Sequence, residues 1–115
     1  MPAEPRRNFP VPIRVHVRHD DGREEEEYAV NLSPSGLCLH APHDFTEAEE
    51  FQVRFALPPS GPEVEARCRV MWSSVHAATE LAPRFWEIGL QFLDLDPALT
   101  HQLHDYASQP VDRRR

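Results

Sequence analysis

The sequence predicts a mainly β protein, a small six-stranded antiparallel β-barrel closed by a C-terminal α-helix. Three observations carry this. About six short runs alternate apolar and polar residues, Gly- and Pro-containing turns separate them at hairpin-like spacing, and a single helix-periodic run follows Asp96. Closure removes the unpaired strand edges that would otherwise template aggregation. A β-sandwich is the alternative that the same strands could build.

Each element follows from local chemistry. Residues 1–11 are rich in proline and arginine and are expected to form an extended, mobile arm ahead of a barrel domain over residues 12–108. From Pro12, the side chains of Ile13, Val15 and Val17 face one way and Arg14, His16 and Arg18 the other, a half-buried strand. Asp21-Gly22 supplies a hairpin turn. In the second strand, strict alternation puts Tyr28, Val30 and Leu32 on one face and Asn31 and Ser33 on the other. Pro34, Ser35 and Gly36 turn the chain, with glycine available for a positive φ, and a third strand runs from Gly36 to Ala41. Pro42 to Glu50 reads as a loop with a helical turn near Glu47.

The fourth strand places Phe51, Val53, Phe55 and Leu57 on one face, and Pro58-Pro59-Ser60-Gly61-Pro62 ends it. The fifth carries Val64, Ala66, Cys68, Val70 and Trp72 on one side, so Trp72 is expected in the core, with a stacking surface for a ligand as the alternative. Ser73 to Arg84 reads as a loop with a helical turn over Ala77–Leu81, and Trp86, Ile88, Leu90 and Phe92 form the inner face of a sixth strand. Asp96 is an N-cap, Pro97 suits the first helical position, and Leu99, Leu103 and Tyr106 make an apolar stripe. Residues 109–115 are expected to be a disordered tail.

Composition narrows the function. The 115 residues make about one domain, and 40% apolar content supports a modest core. A formal net charge of -7 argues against DNA, RNA or an anionic membrane as a partner, because those need a basic face. No stretch has the length of a membrane span or the pattern of a secretory signal, so a cytoplasmic protein without membrane insertion is expected. The Glu24 to Glu27 run reads as a solvated segment. Cys38 and Cys68 read as small buried hydrophobes, since their spacing fits no zinc site. His101 and His104 lie about a turn apart but lack further ligands, so no metal site is expected. No GxSxG elbow, HExxH pair or glycine-rich phosphate loop occurs, and a non-catalytic protein is expected, with no cofactor.

The candidate site is the corner Asn31-Leu32-Ser33-Pro34-Ser35-Gly36 together with Arg6-Arg7. Two short polar side chains project side by side there, and the turn can offer backbone N–H groups to an anion. A planar guanidinium can hold a phosphate or a guanine O6/N7 edge through paired hydrogen bonds.

This order of elements resembles the PilZ domain family of bacterial cyclic di-GMP receptors, from Arg6 to about Ala107. Asn31, Ser33 and Gly36 match every defined position of the family's [D/N]xSxxG motif. Arg67-Cys68-Arg69-Val70-Met71-Trp72 and Glu87-Ile88-Gly89-Leu90-Gln91-Phe92-Leu93-Asp94 resemble the family's late strands. The family's RxxxR motif is half present: starting at Arg7 it ends on Val11, and starting at Arg6 it ends on Pro10. Arg14 and Arg69 are the nearby candidates for a compensating cation. The resemblance implies a cytoplasmic second-messenger receptor, monomer or homodimer, in which Arg6, Arg7, Asn31, Ser33 and Gly36 bind cyclic di-GMP and the signal passes to a protein effector. The alternative it implies is a ligand-independent interaction module serving motility or polysaccharide signalling.

Overall fold

The computed structural model describes residues 4–59, 61–77 and 83–109. Strands β1 (Arg7–His19), β2 (Glu24–Ser33), β3 (Gly36–Ala41), β4 (Glu50–Ala56), β5 (Glu63–His76) and β6 (Phe85–Leu93) precede one helix, α1 (Pro97–Ser108). The strands close a barrel in the order β1-β2-β3-β6-β5-β4, every neighbour antiparallel. His19 pairs with Phe51 and His16 with Arg54, which joins β1 to β4 and leaves the sheet without an edge there.

Alternation builds the core wherever the sequence keeps it. Phe51, Val53 and Phe55 of β4 point inward against Val64, Ala66, Cys68 and Val70 of β5, while Gln52 and Arg54 remain in water. Burying each large side chain in such a face contributes roughly 1.5–3 kcal/mol. The solvent side carries its own network: Arg67 reaches both Asp20 and Glu50, and Arg69 reaches Glu50.

Several elements differ from the pattern that alternation alone implies. The first strand begins at Arg7, not Pro12, and residues 7–10 of the expected arm are part of the sheet: Arg7 pairs with Leu32, Asn8 with Asn31, and Phe9 is buried. Prolines 10 and 12 cannot donate to the ladder, so the pairing breaks between Asn8 and Ile13 and Val11 is left 76% exposed. In β2, Val30 is a bulge residue between Ala29, opposite Leu39, and Asn31, opposite Cys38. One extra residue reverses the parity before it, so Ala29 enters the core and Tyr28 faces outward.

The bulge at Met71 does the same in β5: Val70 faces Leu90, Trp72 faces Gly89, and Trp72 is exposed instead of buried. Beyond it, β5 continues to His76 and pairs with β6 back to Phe85, where a loop from Ser73 to Arg84 was expected. The helical turn expected over Ala77–Leu81 falls on residues outside the described ones, apart from Ala77 itself. Near Glu47 the chain makes a tight turn, with the Glu49 N–H donating to the Thr46 carbonyl.

The glutamates are not a solvated run. Their run is the start of β2, and alternation turns Glu25 and Glu27 toward His19 and His43. Glu27 is only 5% exposed. Burial, with the facing Glu25 carboxylate, pushes its carboxyl up to about 8. Desolvation also opposes charge on Glu25, yet hydrogen bonds with Glu27, His19 and His43 outweigh it and hold this carboxyl at about 2.

α1 closes the molecule as its sequence pattern implies. The Asp96 carboxylate accepts from the Ala98 N–H at 2.7 Å, and Pro97 occupies the first turn, where no N–H is needed. Leu103, Tyr106 and Ala107 are buried against the barrel, with Leu99 partly so. The Tyr106 hydroxyl donates to the Pro58 carbonyl at 2.9 Å. No helix among the described residues is long and apolar enough to cross a membrane.

Leu103→Ala removes a fully buried side chain and is expected to lower the unfolding free energy by about 2–5 kcal/mol in urea titration. His101→Ala, on the exposed face of the same helix, is expected to change it by less than about 0.5 kcal/mol.

Candidate ligand cleft

A surface cleft of about 480 Å³ lies where the β2–β3 corner meets β5 and β6. Its floor is a two-residue turn. Ser33 pairs directly with Gly36, Pro34 and Ser35 form the loop between them, and the Phe92 N–H donates to the Ser35 carbonyl at 2.7 Å. This last bond pins the turn to β6. Leu32 is anchored in the core at 0% exposure, so its neighbours Asn31 and Ser33 take the cleft side, where Asn31 is partly exposed and Ser33, expected in solvent, is instead buried at 7% exposure against the Ser35 hydroxyl.

Gly36 is required for closeness, not for a left-handed turn. Among the described residues the only glycine with positive φ is Gly22. A Cβ on Gly36 would lie 1.8 Å from the Leu90 carbonyl oxygen, so β3 can approach β6 only if this position carries no side chain. The expectation of a positive φ at Gly36 is thus replaced by a packing reason.

The opposite wall is Trp72, with Met71 beside it. Its indole packs directly against Gly89: a Cβ there would sit 2.1 Å from the Trp72 Nε1. Two glycines therefore open the outer surface of the barrel, one for a backbone and one for an aromatic ring. Glu87, Gln91 and Cys38 complete the polar lining. Burial, with the nearby Glu87 carboxylate, pushes the Cys38 thiol up to about 12, so it is an inert wall and not a nucleophile. Glu87 is held by His40 at 3.2 Å and His76 at 3.7 Å.

The two candidate arginines separate. Arg6 lines the cleft. Arg7 points to the other side, as the next residue along an extended chain must, and there its guanidinium sits 4.5 Å from the centre of the Tyr106 ring and donates to the Tyr106 carbonyl at 3.3 Å. Of the five sequence candidates, Arg6, Asn31, Ser33 and Gly36 meet at the cleft and Arg7 does not. Neither compensating arginine is there: Arg14 pairs with Glu26 at 3.3 Å, and Arg69 with Glu50 at 2.9 Å. Glu4 also enters the cleft and accepts a hydrogen bond from the Ser35 hydroxyl.

Alternation favours the core for Trp72, and the structure bears out the lesser alternative, an exposed ring at the cleft. The signal was Gly89: a glycine in the middle of a strand marks the close approach of another group, here the indole.

Fold and cleft define a class, a small closed β-barrel domain with an exposed polar corner reached by an N-terminal leader. The chain belongs to the PilZ domain family, whose sequence pattern matches residues 3–109. No curated protein matches it at the sequence level. Among solved structures it is similar to the PilZ domain with c-di-GMP of YcgR from Escherichia coli, at 18% identity and a TM-score of 0.70, covering 85% of this chain and 82% of that one. It is also similar to the MrkH–c-di-GMP complex of K. pneumonia, at 15% identity and a TM-score of 0.75, covering 91% of this chain and 50% of MrkH. The inhibitor of motility MotI/DgrA from Bacillus subtilis matches at 14% identity and a TM-score of 0.71, covering 93% and 49%. The chain thus corresponds to about half of the MrkH and MotI chains.

Gly36→Ala is expected to destabilise the fold by about 1–3 kcal/mol through the clash with Leu90, as measured by chemical denaturation. Trp72→Ala, which removes an exposed ring, is expected to leave the denaturation midpoint nearly unchanged.

Proposed function

We propose that this domain binds cyclic di-GMP in the cleft between the Asn31/Ser33 corner and Trp72 and passes the change to a protein effector, without catalysis. The observation that carries the reading is the convergence of Arg6, Asn31 and Ser33 on one rigid corner that faces an exposed aromatic wall. In this assignment Arg6 takes a phosphate or a guanine O6/N7 edge through a two-pronged contact. Asn31 and Ser33 supply short-range hydrogen bonds, and Trp72 stacks a base, an interaction worth ~1–3 kcal/mol. Family membership supports the reading, as do the c-di-GMP complexes of the similar YcgR and MrkH structures.

The leader makes the signal. Glu4 holds Ser35 before ligand arrives, so an incoming phosphate must displace one carboxylate from the corner. Arg6 and Arg7 are adjacent but face opposite ways, one toward the cleft and one onto Tyr106 of α1. Drawing Arg6 onto the ligand strains the Arg7–Tyr106 contact, and α1 is where the change is read. We assign Arg7 to this tether, since its side chain is committed to the helix.

A second reading is a ligand-independent docking module. One observation favours it: the position for the second clamp arginine falls on Pro10 or Val11, and both are exposed residues of the β1 interruption. In either reading the protein works in the cytoplasm, as a monomer or homodimer.

Calorimetric titration of cyclic di-GMP separates the two readings. Saturable binding is expected, with quenching of tryptophan fluorescence that Trp72→Ala abolishes; no heat at high micromolar ligand with the fold intact favours the docking module. Arg6→Ala is expected to weaken binding by roughly 10–100-fold, the equivalent of ~1.5–3 kcal/mol for a charge-assisted contact. Glu4→Gln is expected to tighten it, because the competing carboxylate charge is gone. Arg7→Ala is expected to retain most of the affinity while losing the ligand-induced change in hydrogen exchange over 97–108. Equal losses of affinity in the Arg6 and Arg7 variants would remove the tether.

A further inference from the structure

At the far end of β2 from the corner, a second cluster has no part in the cleft. Carboxylate oxygens of Glu25 and Glu27 and the ring nitrogen of His43 all lie within 4.8 Å of one another. His43 comes from the connection between β3 and β4, so the three ligands join two segments that the strand ladder does not.

The orientation of His43 is the telling feature. Its Nδ1 lies 2.9 Å from the Asp44 carbonyl oxygen, which can only accept, so Nδ1 carries a hydrogen. Nε2, the nitrogen left for the cluster, lies 2.5 Å from Glu25 Oε1, to which it donates while it carries a proton, and 3.6 Å from Glu27 Oε2. A cation that displaces this proton meets the Nε2 lone pair and the two carboxyl groups already converging on one point. Metal-bound histidines are set up in this way, with the second nitrogen donating to a backbone carbonyl so that the ligating nitrogen is fixed in tautomer and direction.

The surrounding residues hold the other ligands in the same manner. Glu25 Oε2 is bonded to His19 Nε2 at 2.6 Å, which turns Oε1 toward His43, and His19 Nδ1 is fixed in turn by Glu49 at 2.7 Å. The His43 ring is stacked on buried Phe45, with centroids 5.1 Å apart and planes at 6°. The Glu27 side chain is 6% exposed and aimed into the cluster, and that of His43 is 49% exposed, which leaves an open side for access.

We propose that Glu25, Glu27 and His43 form a structural divalent-cation site that clamps the start of β2 to the β3–β4 connection. Two carboxylates and one imidazole select a borderline first-row ion, zinc foremost. Calcium takes six to eight oxygens, and magnesium demands a near-octahedral oxygen shell. Zinc bonds of about 2.0–2.2 Å place tetrahedral ligand atoms about 3.4 Å apart. The cluster reaches that spacing by opening its 2.5 Å contact and tightening its widest one, movements within the range of side-chain torsions. A solvent molecule fills the fourth position on the exposed side. The site is independent of the nucleotide cleft and of the function proposed for it.

The test uses the full chain, stripped with chelator and titrated with Zn²⁺ at neutral pH by calorimetry, while Co²⁺ absorption reports the ligand set. One equivalent is expected to bind saturably and to raise the melting temperature. His43→Ala and Glu27→Gln are each expected to weaken binding by at least about tenfold. His76→Ala and His101→Ala, which alter histidines outside the cluster, are expected to leave it unchanged. Circular dichroism of each variant separates lost binding from lost folding; His43 is half exposed, so its variant is expected to remain folded. Absence of one-equivalent binding to the wild-type chain, or binding that survives His43→Ala and fails with His76→Ala, would overturn the proposal: the cluster is then held by protons alone.

Discussion

Two single-residue insertions in the strand pairing, at Val30 and Met71, govern which side chains meet on the outside of this barrel. Each reverses the in–out alternation of its strand, because the period of a strand is two and one extra residue turns everything beyond it over. Without the first, Tyr28 would compete with Leu32 for the interior. Without the second, the Trp72 indole would be pressed into a core already filled by Phe55, Phe92 and Leu90. The bulges send the large rings outward and leave the interior to aliphatic and phenyl groups. Glycines 36 and 89 complete the arrangement, since the Leu90 carbonyl and the Trp72 ring occupy the space that their side chains would need.

Electrostatics sharpens the picture of the cleft. In a chain of formal net charge -7, long-range attraction does not gather an anion, and any such ligand depends on cations at contact distance. Three solvent-facing arginines of β1 and β5 are already engaged: Arg67 and Arg69 lie against Asp20 and Glu50, and Arg14 lies against Glu26. Arg6 is held at the cleft by the leader, in the company of Glu4. The same economy of charge appears at the other end of β2, where buried glutamates face histidines and not solvent. A run of four glutamates is half surface and half interior here because a strand divides any run between two faces.

Much of this was legible beforehand. The strand count, their antiparallel pairing, the capped helix after Asp96 and the placement of Asn31 and Ser33 on the face opposite Leu32 follow from alternation, capping chemistry and turn residues, all local properties. The resemblance of the corner to the PilZ motif was readable for the same reason, since the motif lies within one hairpin. The placements that failed share a physical cause. Tyr28 and Trp72 depended on bulges, which arise from how two strands fit each other and do not show in the alternation of the strand that carries them; only Gly89, on the strand facing Trp72, marks one of them. Arg7 depended on α1, 99 residues away in sequence, whose Tyr106 holds it. Glu27 depended on a histidine from a loop that sequence gives no reason to place nearby.

By itself, then, the sequence determined the periodicities, the turns and the cap, and with them a barrel bearing a polar corner. Only the tertiary structure decided which strand faces were in register across the closure, which arginine reached the corner and which was held by the helix, and which acids met histidines. The division has one origin: propensity and alternation act over a few residues, whereas register, close approach and charge pairing exist only once distant segments occupy the same space.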